Sequence, residues 1–98
     1  MLIAISKYLK PAAEIDQYRP EHHKYIKPLF EAGILLVSGR QNPPIGAVII
    51  AKIESRDEFQ KILANDPFVK AGVAEYTITE FTPVFYHESF ARMTEPRP

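Results

Sequence analysis

The sequence predicts an α+β domain of the ferredoxin-like kind, a β-α-β-β-α-β chain forming a four-stranded antiparallel sheet with two helices on one face. Three observations carry that expectation. Short β-like apolar runs alternate with two stretches of helical period. Prolines and glycines stand between these runs, where a chain must turn. The order of these runs, strand, helix, strand, strand, helix, strand, is that of the split βαβ arrangement.

The first strand is read over Leu2 to Leu9. Ile3 and Ile5 point to one side, and Leu2, Ala4 and Tyr8 to the other. Lys10-Pro11 ends it. Ala12 to Tyr18 reads as a weak helical or irregular stretch. A stronger helix is expected from about Pro20 to Ala32, with Pro20 at its first position, where a missing N–H costs nothing, and Gly33 as its stop. Pro28 removes a hydrogen bond and should bend that helix or end it early.

Ile34 to Ser38 is a short buried strand, followed by a loop from Gly39 to Ile45. Gly46 to Ile53 is a further strand, apolar on both faces. Ser55-Arg56-Asp57-Glu58 fits a capping box for a helix running to about Ala64. Ala74 to Phe81 is the last strand. The tail carries Val84, Phe85, Tyr86 and Phe90, too apolar for a free linker, and is expected to pack on a neighbour until about Met93. Residues 94–98 are expected to fray.

The chain has 98 residues, so a single domain over 1–98 is expected. A core of that size is marginal on its own. With no cysteine there is no disulfide to help, which leaves association as the remaining support. Two-sided apolar strands at 2–9 and 46–53 point the same way, to a homodimer joined sheet to sheet, or a higher oligomer. Basic and acidic residues balance at 12 each, which argues against a nucleic-acid partner. Apolar runs fall far short of the roughly 20 residues of a membrane span. The N-terminus has no signal-peptide pattern, so a cytoplasmic protein is expected.

On the first helix, His22, Ile26, Leu29 and Phe30 share one side at about 100° per residue, which turns His22 inward. His23 lies at the margin. A histidine held beside a carboxylate makes a proton-transfer pair. His22 is equally readable as a helix-end histidine bonded to a backbone carbonyl. Phe59, Ile62 and Leu63 make the apolar face of the second helix, and Asp66 continues that spacing. Asp66-Pro67 is also the pattern of a helix N-cap, with a single turn over Phe68 to Ala71 stopped by Gly72. The two readings are compatible.

Ser38-Gly39-Arg40 offers a glycine for close approach of a ligand and an arginine able to grip a carboxylate or phenolate. It also reads as a plain turn with a solvated arginine. Arg19 has the same ambiguity, and Tyr8 is either a pocket wall or a core residue. No metal site is expected, because His22 and His23 splay apart on a helix and no paired ligand spacing exists. No phosphate loop, dinucleotide fingerprint or nucleophile elbow is present, so no cofactor is expected. An RNA-recognition domain of the same element order would need an aromatic, basic third strand, which residues 46–53 do not supply.

Arg19-Pro20-x-His22, Gly33, Ser38-Gly39, the Gly46 strand with Ile49-Ile50-Ala51, Asp66-Pro67-Phe68 and Ala71-Gly72-Val73 form an ordered set over Met1 to about Phe85. In this set the chain resembles the YciI-like family, also called the YCII-related domain. The resemblance implies a ferredoxin-like fold that pairs as a dimeric α+β barrel. It also implies an active-site histidine and aspartate at His22 and Asp66. Arg40 stands where many relatives have proline, and the tail beyond Tyr86 is extra. Both departures bear on the substrate.

The reading that follows is a small cofactor-free enzyme. His22 acts as acid or base, and Asp66 orients it. Ser38, Gly39, Arg40, Arg19 and Tyr8 bind a small cyclic or aromatic metabolite, on which the pair carries out proton transfer, isomerisation or elimination. The alternative is a non-catalytic dimer that binds a small molecule for regulation.

Overall fold

A computed structural model describes residues 1–94. The described elements are β1 (Leu2–Tyr8), α1 (Ala12–Glu31), β2 (Leu35–Arg40), β3 (Ala47–Ala51), α2 (Arg56–Ala64), α3 (Pro67–Lys70) and β4 (Ala74–Glu80). A short 3-10 turn (Glu88–Phe90) and α4 (Ala91–Thr94) follow. The sheet order is β2-β3-β1-β4, all neighbours antiparallel, which is the ferredoxin-like arrangement.

The first helix departs from expectation. It is one helix, capped by Pro11, and both Pro20 and Pro28 lie inside it. A proline inside a helix typically costs about 3 kcal/mol or more. Here a tertiary stripe outweighs that. Ile15, Tyr18, His22, Ile26 and Leu29 recur every three or four residues along the side packed on the sheet, while Pro20 and Pro28 are exposed. Continuous burial therefore overrides the local signal that placed a start at Pro20.

Two glycines end helices in the same way. Gly33, at φ 73°, gives its N–H to Phe30 O, and Ile34 N–H reaches back to Leu29 O. Gly72, at φ 72°, repeats this with Val69 O, and Val73 N–H with Phe68 O. Each is a left-handed Schellman stop that a residue with a Cβ adopts only under strain. The second helix is capped as expected, with Ser55 Oγ accepting from Glu58 N–H at 3.1 Å.

Strand boundaries differ from the sequence reading in one place that matters. The strand after α1 runs on to Arg40, so Gly39 and Arg40 pair with Val48 and Ala47 rather than standing in a loop. The next strand is shorter than expected, Ala47–Ala51, because Gly46 packs flush on the Ser6 carbonyl. A Cβ there would overlap that carbonyl, so the chain turns where only glycine fits.

Buried side chains form two clusters. The larger gathers Leu2, Ala4, Leu35, Ile49, Ala51, Ile53, Phe59 and Leu63 under α1 and α2. The smaller gathers Ile15, Phe68, Val73 and Ala74 around α3. On the opposite face of the sheet, Ile5 is 45% and Val37 52% exposed. The tail expected to pack on a neighbour leaves Phe85 96% exposed within this chain. Of the residues expected to fray, Thr94 closes α4 with its hydroxyl on Ala91 O, and 95–98 lie outside the described residues.

Candidate active site

Asp66 is the N-cap of α3 and is 2% exposed. Pro67 at the first helical position keeps Asp66 extended, which aims its carboxylate back over the helix start. Its Oδ1 accepts the N–H of Phe68 at 2.9 Å, the capping bond. The same oxygen meets His22 Nδ1 at 2.8 Å. Its other oxygen, Oδ2, accepts the hydroxyl of Tyr76 at 2.9 Å. Capping and histidine contact therefore coexist on one side chain. Phe68 N–H and the Tyr76 hydroxyl both donate to this one buried carboxyl, which suits an acceptor-only group.

That arrangement sets the histidine tautomer by argument. A carboxylate accepts only, so Nδ1 carries the proton and Nε2 keeps a lone pair. The ring is further held by Phe68, stacked at 4.1 Å between centroids and 9° between planes. Phe68 is buried against Tyr8 in an edge contact, and the Arg19 guanidinium lies 5.9 Å from its centroid. The histidine is thus fixed on one side by a hydrogen bond and on one face by a ring.

A cavity of about 180 Å³ opens in front of this pair. Its wall contains His22, Arg19 and Tyr8, together with Ser38, Gly39 and Arg40 from β2. Those six are brought together, and Asp66 stands behind them. Ile26 and Ile49 reach the same cavity from the larger cluster, and Phe68 from the smaller, so the site lies in the seam between the two. His23, placed at the margin by the helical spacing, also lines the cavity. Among the described residues, no three His, Cys, Asp or Glu side chains are grouped to hold a metal.

Sequence reasoning missed Tyr76 and Ser6. Pairing of β1 with β4 sets them opposite each other, on the face toward the helices. Alternation separates the two faces of each strand, but neither which face meets the helices nor which residue would meet Asp66. Burial first, and then the negative charge of Asp66, pushes the Tyr76 hydroxyl above its ordinary range and keeps it a donor. Tyr25 is raised for the same two reasons, with its hydroxyl on Ile62 O at 2.7 Å. Ser6 Oγ accepts Ala47 N–H at 2.7 Å, where β1 and β3 part.

A ferredoxin-like sheet with a buried carboxylate hydrogen-bonded to a cavity-lining histidine defines a small α+β domain with a candidate site at one end of its sheet. The chain belongs to the YCII-related domain family, which matches residues 1–82. Among solved structures, it is similar to the 5-chloro-2-hydroxyhydroquinone dehydrochlorinase TftG of Burkholderia phenoliruptrix AC1100, in complex with 2,5-dihydroxybenzoquinone. Identity is 28% and the TM-score 0.63, covering 83% of this chain and 93% of that one. An antibiotic biosynthesis monooxygenase shares the fold at 16% identity and a TM-score of 0.52, covering 85% of this chain and 100% of the other. A curated relative is the derivative of benzaldehyde biosynthesis cluster protein C of Emericella nidulans. It is 31% identical over 65 residues, 55% of this chain and 66% of that protein, just under two thirds of its length. No helix among the described residues is long and apolar enough to cross a membrane.

Proposed function

We propose that this cleft is a cofactor-free acid–base site acting on a small cyclic or aromatic metabolite. The observation that supports it most directly is the His22 Nδ1 to Asp66 Oδ1 contact of 2.8 Å, which leaves Nε2 as the free nitrogen of a cavity-lining ring. Nε2 removes a proton next to a carbonyl or from a ring hydroxyl. Asp66 then stabilises the imidazolium, and the proton returns to product or solvent. Arg40, with Ser38 at its side, holds the acidic group of the substrate, and Arg19 and Tyr8 complete the wall. Elimination fits the same parts: the base takes the proton while the leaving group departs with its bonding electrons. The dehydrochlorinase relative, at 28% identity, supports that class of reaction.

The test is a metabolite extract incubated with wild type and with His22→Gln, followed by mass spectrometry over time. Compounds consumed by wild type should be consumed at least about 100-fold more slowly by the variant. A compound that binds wild type at one per subunit and is never consumed would establish the regulatory reading instead.

The acting unit in this proposal is a homodimer. Ile3, Ile5, Val48 and Ile50 lie on the sheet face away from the helices, with Val37 beside Ile50 on β2. Exposed contiguous apolar surface of this kind is an association surface by default. Sedimentation at micromolar concentration should show a dimer, and Ile5→Lys should shift it toward monomer. A wild-type monomer under those conditions would remove this part of the proposal.

A further inference from the structure

Behind the wall of the His22 cavity lies a second, larger one of about 730 Å³. Ser6, Tyr8, Arg19 and Arg40 line both, so the two meet at these side chains. The larger cavity falls within the range of about 300–1,000 Å³ usual for ligand sites. Its apolar lining is Ile5, Ala12 and the buried Ile15, with Pro44 and Ile45 from the exposed turn before β3. Its rim is basic. Lys7, Lys10, Arg19 and Arg40 stand against a single carboxylate, Asp16. That concentration occurs in a chain whose formal net charge is zero.

The countercharges are accounted for. Asp16 Oδ1 takes Arg19 Nε at 3.0 Å, which leaves the terminal guanidinium nitrogens of Arg19 uncommitted by that bond. Lys7 stands opposite Glu75 in the β1–β4 ladder. Among the described residues, neither Arg40 nor Lys10 has a carboxylate within ion-pair distance. Apolar lining beside such a set of cations suits a molecule with an apolar body and a negative group. The arginines place that negative group at the boundary between the cavities.

We propose that the larger cavity is a binding site for the apolar body of an organic anion, with its acidic group held at the boundary by Arg40 and Arg19. The ligand is then longer than one ring. Where the acid–base reading of His22 also holds, on which this part rests, the reacting end enters the smaller cavity and the remainder fills the larger. A substrate without the apolar extension would bind more weakly and still be able to react.

The probe is 8-anilinonaphthalene-1-sulfonate, an aromatic anion. Its neutral counterpart is N-phenyl-1-naphthylamine, the same rings without the sulfonate. Fluorescence titration of the full chain should show the anion binding at least about tenfold more tightly than the neutral dye. Arg40→Gln should weaken the anion about tenfold and leave the neutral dye unchanged. Ile45→Asp, at an exposed turn position, should weaken both. Amide shifts on adding the anion should centre on Lys10, Arg40 and Ile45. His22→Gln should keep the binding, so that loss of turnover there and loss of binding elsewhere report on separate claims. Equal affinity for the two dyes, no effect of Arg40→Gln, or shifts confined to Val84–Tyr86 would each overturn the proposal.

Discussion

The two apolar clusters of this molecule are built by different means. The larger is made of strand and helix side chains with Ile53 from the connection between β3 and α2, and Leu2, Ala4, Ala51, Ile53 and Phe59 are all at 0% exposure. Among the described residues the smaller has four buried members, and its Phe68 adjoins Asp66, one of two buried polar residues. One strand runs through both environments. Up to Ile5, β1 is paired on both sides; beyond it β4 continues, while on the other side the pairing breaks at Ser6 and Gly46 and returns as a single bond from Tyr8 N–H to Ile45 O at 2.9 Å. Where pairing is complete the interior is apolar. Where one neighbour leaves, a cavity and polar groups replace it. The sheet therefore carries its apolar core at one end and the candidate site at the other, because each residue of pairing given up frees a backbone and a side chain for another partner.

The largest expected effect tests the stable end. Phe59→Ala should cost about 3–5 kcal/mol in urea unfolding, as a large ring lost from a full core. The His22 titration, followed by NMR in the remaining folded protein, should not move. A loss under about 1 kcal/mol would mean that the larger cluster is not the structural one.

Next comes the carboxylate. Asp66→Ala strands three donors at once and should cost about 2–3 kcal/mol, more than the roughly 1 kcal/mol of a lost cap. Asp66→Asn keeps the cap and most of the stability. It removes the negative charge beside the imidazolium, so the His22 titration should shift to lower pH. If the titration did not respond to asparagine, capping would be the whole role of this residue; if the two variants were equally stable, the cap would contribute nothing.

The smallest effect separates Tyr76 from its neighbours. Tyr76→Phe removes one hydrogen bond, worth about 1 kcal/mol. Asp66 then has one donor fewer and its charge bears more fully on His22, whose titration should move to higher pH, opposite to Asp66→Asn. The alkaline side gives a second readout. The folded state holds the Tyr76 proton more tightly than the unfolded chain, because of burial and then of Asp66. Its contribution is complete below about pH 10 and declines as pH rises above that value. Stability of Tyr76→Phe should therefore fall less steeply above pH 10 in chemical unfolding. Parallel curves would mean that the hydroxyl is equally acidic folded and unfolded.

Much of this was determined locally. Alternation along residues 2–9 separated the two faces of the first strand, and the helical stripe through His22, Ile26 and Leu29 defined which side of the helix faces inward. Asp66-Pro67 marked a cap, and Gly33 and Gly72 marked stops. These signals are read within a few residues because dihedral preference and side-chain direction are properties of short segments. What the sequence did not decide depends on partners far along the chain. Pro20 and Pro28 read as a start and a break, yet burial of one continuous stripe carries the helix through both. Gly39 and Arg40 read as loop until β3 arrives to pair with them. Tyr76 meets Asp66 only because the β1–β4 register sets it opposite Ser6, and His22 meets Asp66 only because α1 and α3 pack together. Register and packing minimise the free energy of the whole fold, so no single segment encodes them. The side chain types of the candidate site were legible in the sequence, and its geometry was decided by the tertiary structure.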